Sequence, residues 1–133
     1  MKTQKEELQE KLNQIEDNER LALQEKNYPE ICEKYLGKCF KVRNNYSCPE
    51  KASDYWFLYT KVTEIKKEDV YQTSNGVSAT YSGYSFQTDM HKNVNVRKEN
   101  GYIHSLGIEI TQKEFDKAWS KMLDRIAKIQ QQL

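Results

Sequence analysis

The sequence has no C-x2-C pair, no apolar run long enough to span a membrane, almost no net charge and no recognisable catalytic or cofactor-binding motif. Each absence removes a class of function. Its three cysteines, Cys32, Cys39 and Cys48, have six and eight residues between neighbours, whereas a structural zinc site needs a close pair followed by a second one. His91 and His104 are remote from all three and from each other, so no metal and no cofactor is expected, and the thiols read as reduced and inert. The first residues are Lys, Glu and Gln rather than an apolar signal segment, which leads to an expectation of a cytosolic protein with no membrane partner. A formal charge of +1 creates no global field toward nucleic acid or an anionic membrane, although local patches can still act.

What the 133 residues do contain is a pair of amphipathic segments enclosing a tyrosine-rich middle. Phe115, Trp119, Met122, Ile126, Ile129 and Leu133 recur in alternating steps of four and three, the a/d seam of a heptad repeat. At the other end Leu8, Leu12, Ile15 and Ala22 keep the same register, with Glu19 as the polar interruption. Such seams call for partner helices. Residues 1–26 carry five Lys/Arg against seven Asp/Glu and residues 112–133 carry five against three, so the two segments are electrostatically complementary. A charge sum does not distinguish pairing within one chain from reciprocal pairing between chains. The low apolar fraction, 37%, against 31% charged residues, also fits burial completed by a second chain, and a homo-oligomer is expected.

The first helix is predicted from about Lys2 to Lys26, ended by Asn27, Tyr28 and Pro29, with a short second helix from Pro29 to Leu36 stopped by Gly37. Strands are predicted at Lys38–Asn44, Asp54–Ile65, Val70–Thr73, Val77–Tyr81, Tyr84–Thr88, Val94–Lys98 and Tyr102–Leu106, with hairpin turns at Ser74-Asn75-Gly76 and Asn100-Gly101. Thr111 followed by Glu114 matches a capping box and starts the last helix. The expectation is an α+β fold: a small, strongly curved antiparallel sheet or SH3-like half-barrel flanked by long heptad-bearing helices at both ends. Three regions follow, an N-terminal helix (1–26), a Tyr-rich β domain (27–111) and a C-terminal helix (112–133) that forms one compact unit with the β domain.

The stretches Gly37-Lys-Cys-Phe-Lys-Val-Arg-Asn44, Tyr46-Ser-Cys-Pro-Glu-Lys51, Ser53-Asp-Tyr-Trp56, Tyr84-Ser-Phe-Gln-Thr-Asp89 and Glu114-Phe115-x-x-Ala118-Trp119 resemble a family of short bacteriophage proteins to which no activity is assigned. The match covers roughly residues 35–120. The resemblance implies a phage or prophage protein made in the cytoplasm of a bacterial host. Small non-enzymatic inhibitors of host defence, transcription modulators and minor virion components are common among such proteins.

Neither histidine stands near a Ser, Cys or carboxylate in a known catalytic arrangement, Cys48 has no flanking motif, and Glu50 with Asp54 reads as solvated acid, so no enzyme is expected. Lys41 and Arg43 alternate with Phe40 and Val42 along one strand, and Tyr46, Tyr55 and Tyr59 lie on the next loop and strand. That combination suits a protein hot spot on a host protein or, alternatively, a nucleic acid or nucleotide held by charge and stacking. Leu8, Leu12, Ile15, Met122, Ile126 and Ile129 are the expected oligomerisation residues. A minor virion role is the third reading, supported only by the seams.

Overall fold

The structure is a computed structural model and describes residues 2–43, 57–88 and 94–132. It is α+β, with one antiparallel sheet of six strands and a long N-terminal helix. Helix α1 spans Gln4–Tyr35, strands β1 Cys39–Arg43, β2 Phe57–Glu64, β3 Val70–Thr73, β4 Gly76–Thr88, β5 Val94–Tyr102 and β6 Ile108–Ile110 follow, and α2, Gln112–Gln131, ends the chain. The order across the sheet is β3-β4-β2-β1-β6, with β5 also paired to β4.

Four expectations are corrected. The sheet is open, neither closed nor strongly curled, so the half-barrel does not form. Each face of the sheet instead has its own helix to pack against, and a sheet covered on both sides has no need to wrap around an interior. The second correction concerns Pro29, which does not end α1. A proline inside a helix costs about 3 kcal/mol through the lost N–H and ring crowding, but the turns around it are held down by Ile31, Tyr28, Cys32 and Tyr35 on the sheet. The helix stops only at Leu36, whose N–H bonds to the Cys32 carbonyl, before Gly37 at φ 74°. Thirdly, Asn100-Gly101 is not a turn, because β5 runs straight through it to Tyr102. Gly101 lies opposite Tyr81 on the ladder, and the ring packs over it, with its nearest atoms 3.4 Å from where a Cβ would sit.

β4 is likewise one strand where two were expected. At Gly83 a Cβ would fall 2.1 Å from the Lys61 carbonyl oxygen, beside the bulge opposite Val62, so this glycine lets β4 pass close to β2 rather than break. The strand is long enough to pair with β3 through Gly76–Ala79 and with β2 and β5 further along.

Two apolar clusters lie on opposite faces. On one, Ile31 of α1 meets Phe40, Val62, Val70, Tyr81 and Leu106. On the other, Ala118 and Met122 of α2, with Phe115 and Trp119, cover Cys39, Tyr59, Phe86 and Ile110. The alternation of β2 explains this: Thr60 and Val62 point one way, and Phe57, Tyr59 and Lys61 the other. The two helices are thus separated by the sheet. Thr111 caps α2, with Glu114 N–H donating to Thr111 Oγ1 at 3.0 Å, and a full capping box opens α1, where Glu6 N–H donates to Thr3 Oγ1 at 3.2 Å and Thr3 N–H donates to the Glu6 carboxylate. No helix among the described residues is long and apolar enough to cross a membrane.

Candidate functional site

Helix α1 divides into two parts. From Lys2 to Leu23 every residue is exposed, and Leu8, Leu12 and Ile15 keep 65%, 48% and 55% of their surface in contact with solvent. Burial begins at Gln24, whose side-chain amide donates to the backbone carbonyls of Glu68 (3.3 Å) and Val70 (3.1 Å), followed by Asn27, which donates to Gln72 Oε1 at 3.3 Å. A Lys67–Glu25 ion pair adds to this anchor at its rim. Residues 4–23 therefore form an arm of about 30 Å, at 1.5 Å per residue, leading into the anchored end. Where the arm joins the body, Leu23 and Glu19 face Tyr71 of β3 across a cleft of about 290 Å³.

On the other face, α2 has used most of its apolar side. Met122 is 2% exposed and belongs to the core, so this seam residue is not available for oligomerisation. Ile126 is half-buried, and Leu123, which the heptad reading passed over, is exposed. The side chain of Ile129 lies outside what the structure describes.

The expected basic and aromatic face is only partly assembled. Lys41 and Arg43 do lie opposite Phe40 and Val42, but their side of the sheet is the one α2 covers rather than an open wet face. Lys41 sits over the Phe57 ring, 4.8 Å from its centroid, and Arg43 is exposed at the end of β1. Tyr59 is a correction. It is 4% exposed and stacked on Phe86 with ring centroids 5.0 Å apart, a core position rather than a surface ring. A tyrosine in a central strand carries enough apolar ring to be drawn under a helix, and alternation alone does not reveal that the helix is there. Tyr46, Tyr55, Cys48 and His91 lie outside the described residues.

What joins Lys41 is α2: Lys117 and Lys121 line one cavity of about 160 Å³ with it, together with Tyr59, Glu114 and Ala118. Glu114 is committed to the helix cap. The signal for this was the i, i+4 spacing of Lys117 and Lys121, which is meaningful only once α2 is known to lie beside β1.

The chemistry at the remaining candidates is limited. His104 Nε2 lies 2.8 Å from Ser78 Oγ, a pairing that their separation in sequence concealed. Ser78 is buried, and the pair ties β4 to the turn at Ile103–Ser105. Burial pushes the Cys39 thiol above its ordinary 9.0, with the nearby Lys61 charge opposing, which keeps it protonated and unreactive. Among the described residues no three His, Cys, Asp or Glu side chains gather where a metal ion could be held. No protein-family model, curated protein or solved structure matches this chain.

Proposed function

We propose that this chain is a non-enzymatic interaction protein of phage type: an oligomeric inhibitor or adaptor that engages a host protein, first among the candidates a component of antiviral defence, in the bacterial cytoplasm. The exposed arm carries this reading. An isolated helix of this length is marginal in water, and three large apolar side chains left on its surface gain about 25 cal/mol per Å² when covered. A helix held out from the body with an apolar stripe is a common way of presenting anchors to a groove on another protein. The test is affinity capture from the bacterial host with wild type and with Leu12→Asp/Ile15→Asp. The same host protein recovered with wild type and lost with the arm variant supports the reading. Full biological effect from the arm variant overturns it.

A second reading, a nucleic-acid or nucleotide binder, is favoured by the convergence of Lys41, Lys117 and Lys121 on one cavity, with Arg43 further along β1. Such binding to a labelled oligonucleotide should fall steeply, by about a factor of ten for every two phosphate contacts, as salt rises from about 50 to about 200 mM. Lys41→Glu/Arg43→Glu should abolish it while moving the melting temperature by no more than a few degrees. Binding that ignores salt and both substitutions removes this face from consideration.

A further inference from the structure

The face of the sheet under α2 is wider than the helix. The register places Val96 beside Phe86, and Lys61, Tyr84 and Lys98 in one row on that same face. Trp119 sits on Phe86 with ring centroids 5.1 Å apart, and Leu123 lies one turn further along α2. Tyr84, Val96 and Leu123 are each about half exposed, at 46–55%. The strip of sheet beside α2, here called the groove, therefore leaves Val96 and Tyr84 uncovered next to Lys61 and Lys98, and Trp119 and Leu123, at i and i+4, share one side of α2. Glu64 lines the polar cavity at the Tyr84–Lys98 end.

Among the described residues the arm and the groove both leave apolar side chains uncovered, and they match. Residues 4–23 hold three Lys/Arg against six Asp/Glu, net −3. The groove is rimmed on the sheet by two lysines, Lys61 and Lys98, whereas Lys117 and Lys121 of α2 face β1. The arm and α2 are each about 30 Å long, at 1.5 Å per residue. The arm of the same chain is anchored through Gln24, Asn27 and Ile31 on the opposite face of the sheet, so the occupant comes from another molecule. Pairing arm with arm would bring two segments of net −3 together and leave both grooves open.

We propose that the arm of α1 docks, with Leu8, Leu12 and Ile15 downward, in the α2–β5 groove of a second copy, whose own arm returns the contact to close a two-fold dimer. This rests on the reading of the chain as an interaction protein and names the partner of its arm. Two helix-in-groove contacts related by a two-fold axis bury both apolar surfaces at once, and each places acidic side chains against a basic rim.

The test uses light scattering at about 100 μM, far above the dissociation constant of a stable dimer. An arm variant, Leu12→Asp/Ile15→Asp, and a groove variant, Val96→Glu/Leu123→Glu, change residues that are at least 46% exposed, so circular dichroism should show both folded. Wild type is expected to be a dimer and each variant alone a monomer. Mixing the variants should restore a dimer, since one good arm then meets one good groove. A monomeric wild type, a groove variant that remains dimeric, or a mixture that stays monomeric overturns the proposal. Oligonucleotide binding in the groove by a monomeric wild type overturns it as well. A confirmed dimer means that the host protein meets the assembled dimer rather than a free arm, and the host-protein reading fails separately, when the arm variant, whatever its mass, keeps its full biological effect.

Discussion

The two parts of α1 share one continuous helix and differ in nearly everything that fixes a helix in place. Residues 4–23 are made of good helix formers, begin with a capping box and bury nothing, whereas the turns from Gln24 to Tyr35 contain a proline and are held by a sheet. Local propensity governs the first part. Packing governs the second, strongly enough to carry the helix through Pro29.

The substitution that separates them most sharply is Ile31→Ala against Leu12→Ala. Ile31 lies in the cluster with Phe40, Val62 and Val70, and its truncation should cost about 2–5 kcal/mol in denaturant unfolding. Leu12→Ala on the arm should stay within about 0.5 kcal/mol when measured on the monomer. Equal losses would erase the distinction between arm and anchor.

A smaller effect is expected at the boundary. Gln24→Ala leaves the carbonyls of Glu68 and Val70 without the amide that serves both, at a cost of about 1–3 kcal/mol. Hydrogen exchange should then show protection beginning nearer Asn27 than Gln24. Unchanged stability together with an unchanged exchange boundary would mean that the anchor starts further along the helix.

His104→Ala, far from the arm, should cost about 0.5–1.5 kcal/mol through the lost bond to Ser78 and leave biological activity intact. A hundredfold loss of activity with the fold preserved would mark the pair as catalytic.

The mildest effect is alkaline. Burial, then the Glu99 charge, raises the Tyr81 hydroxyl above its ordinary 10.0, and burial raises Cys39 above 9.0. An acid whose folded value is raised keeps its proton in the folded chain after the unfolded chain has lost it, so stability is full below the unfolded value and declines above it. The melting temperature should fall from about pH 9 upward, and Cys39→Ala should delay the onset toward pH 10. A flat profile from pH 8 to 11 would contradict both assignments.

Much of the fold was legible where its cause is local. Thr111 and Glu114 satisfy a helix start within four residues, Val70–Thr73 is a strand as expected, and β2 is central because it carries apolar side chains on both faces. The misread positions are those whose cause lies across the sheet. Gly101 resembles a hairpin residue until Tyr81 is seen opposite it, and Tyr59 resembles a surface ring until α2 is placed over it. The candidate site was legible in its arm, because Leu8, Leu12 and Ile15 recur at helical spacing. It was not legible in its groove, where Tyr84, Val96 and Leu123 come from three separate elements.

By itself the sequence determined that both ends are helical, that they carry opposite charge and that antiparallel strands lie between them, because capping, periodicity and turn chemistry act over a few residues. Only the tertiary structure decided that the sheet lies between the helices, which closes off the intramolecular pairing that complementary charge left open. The physical reason is the two-residue alternation of β2 and β4: each strand sends apolar side chains to both faces, each face must be covered, and one helix can cover only one of them.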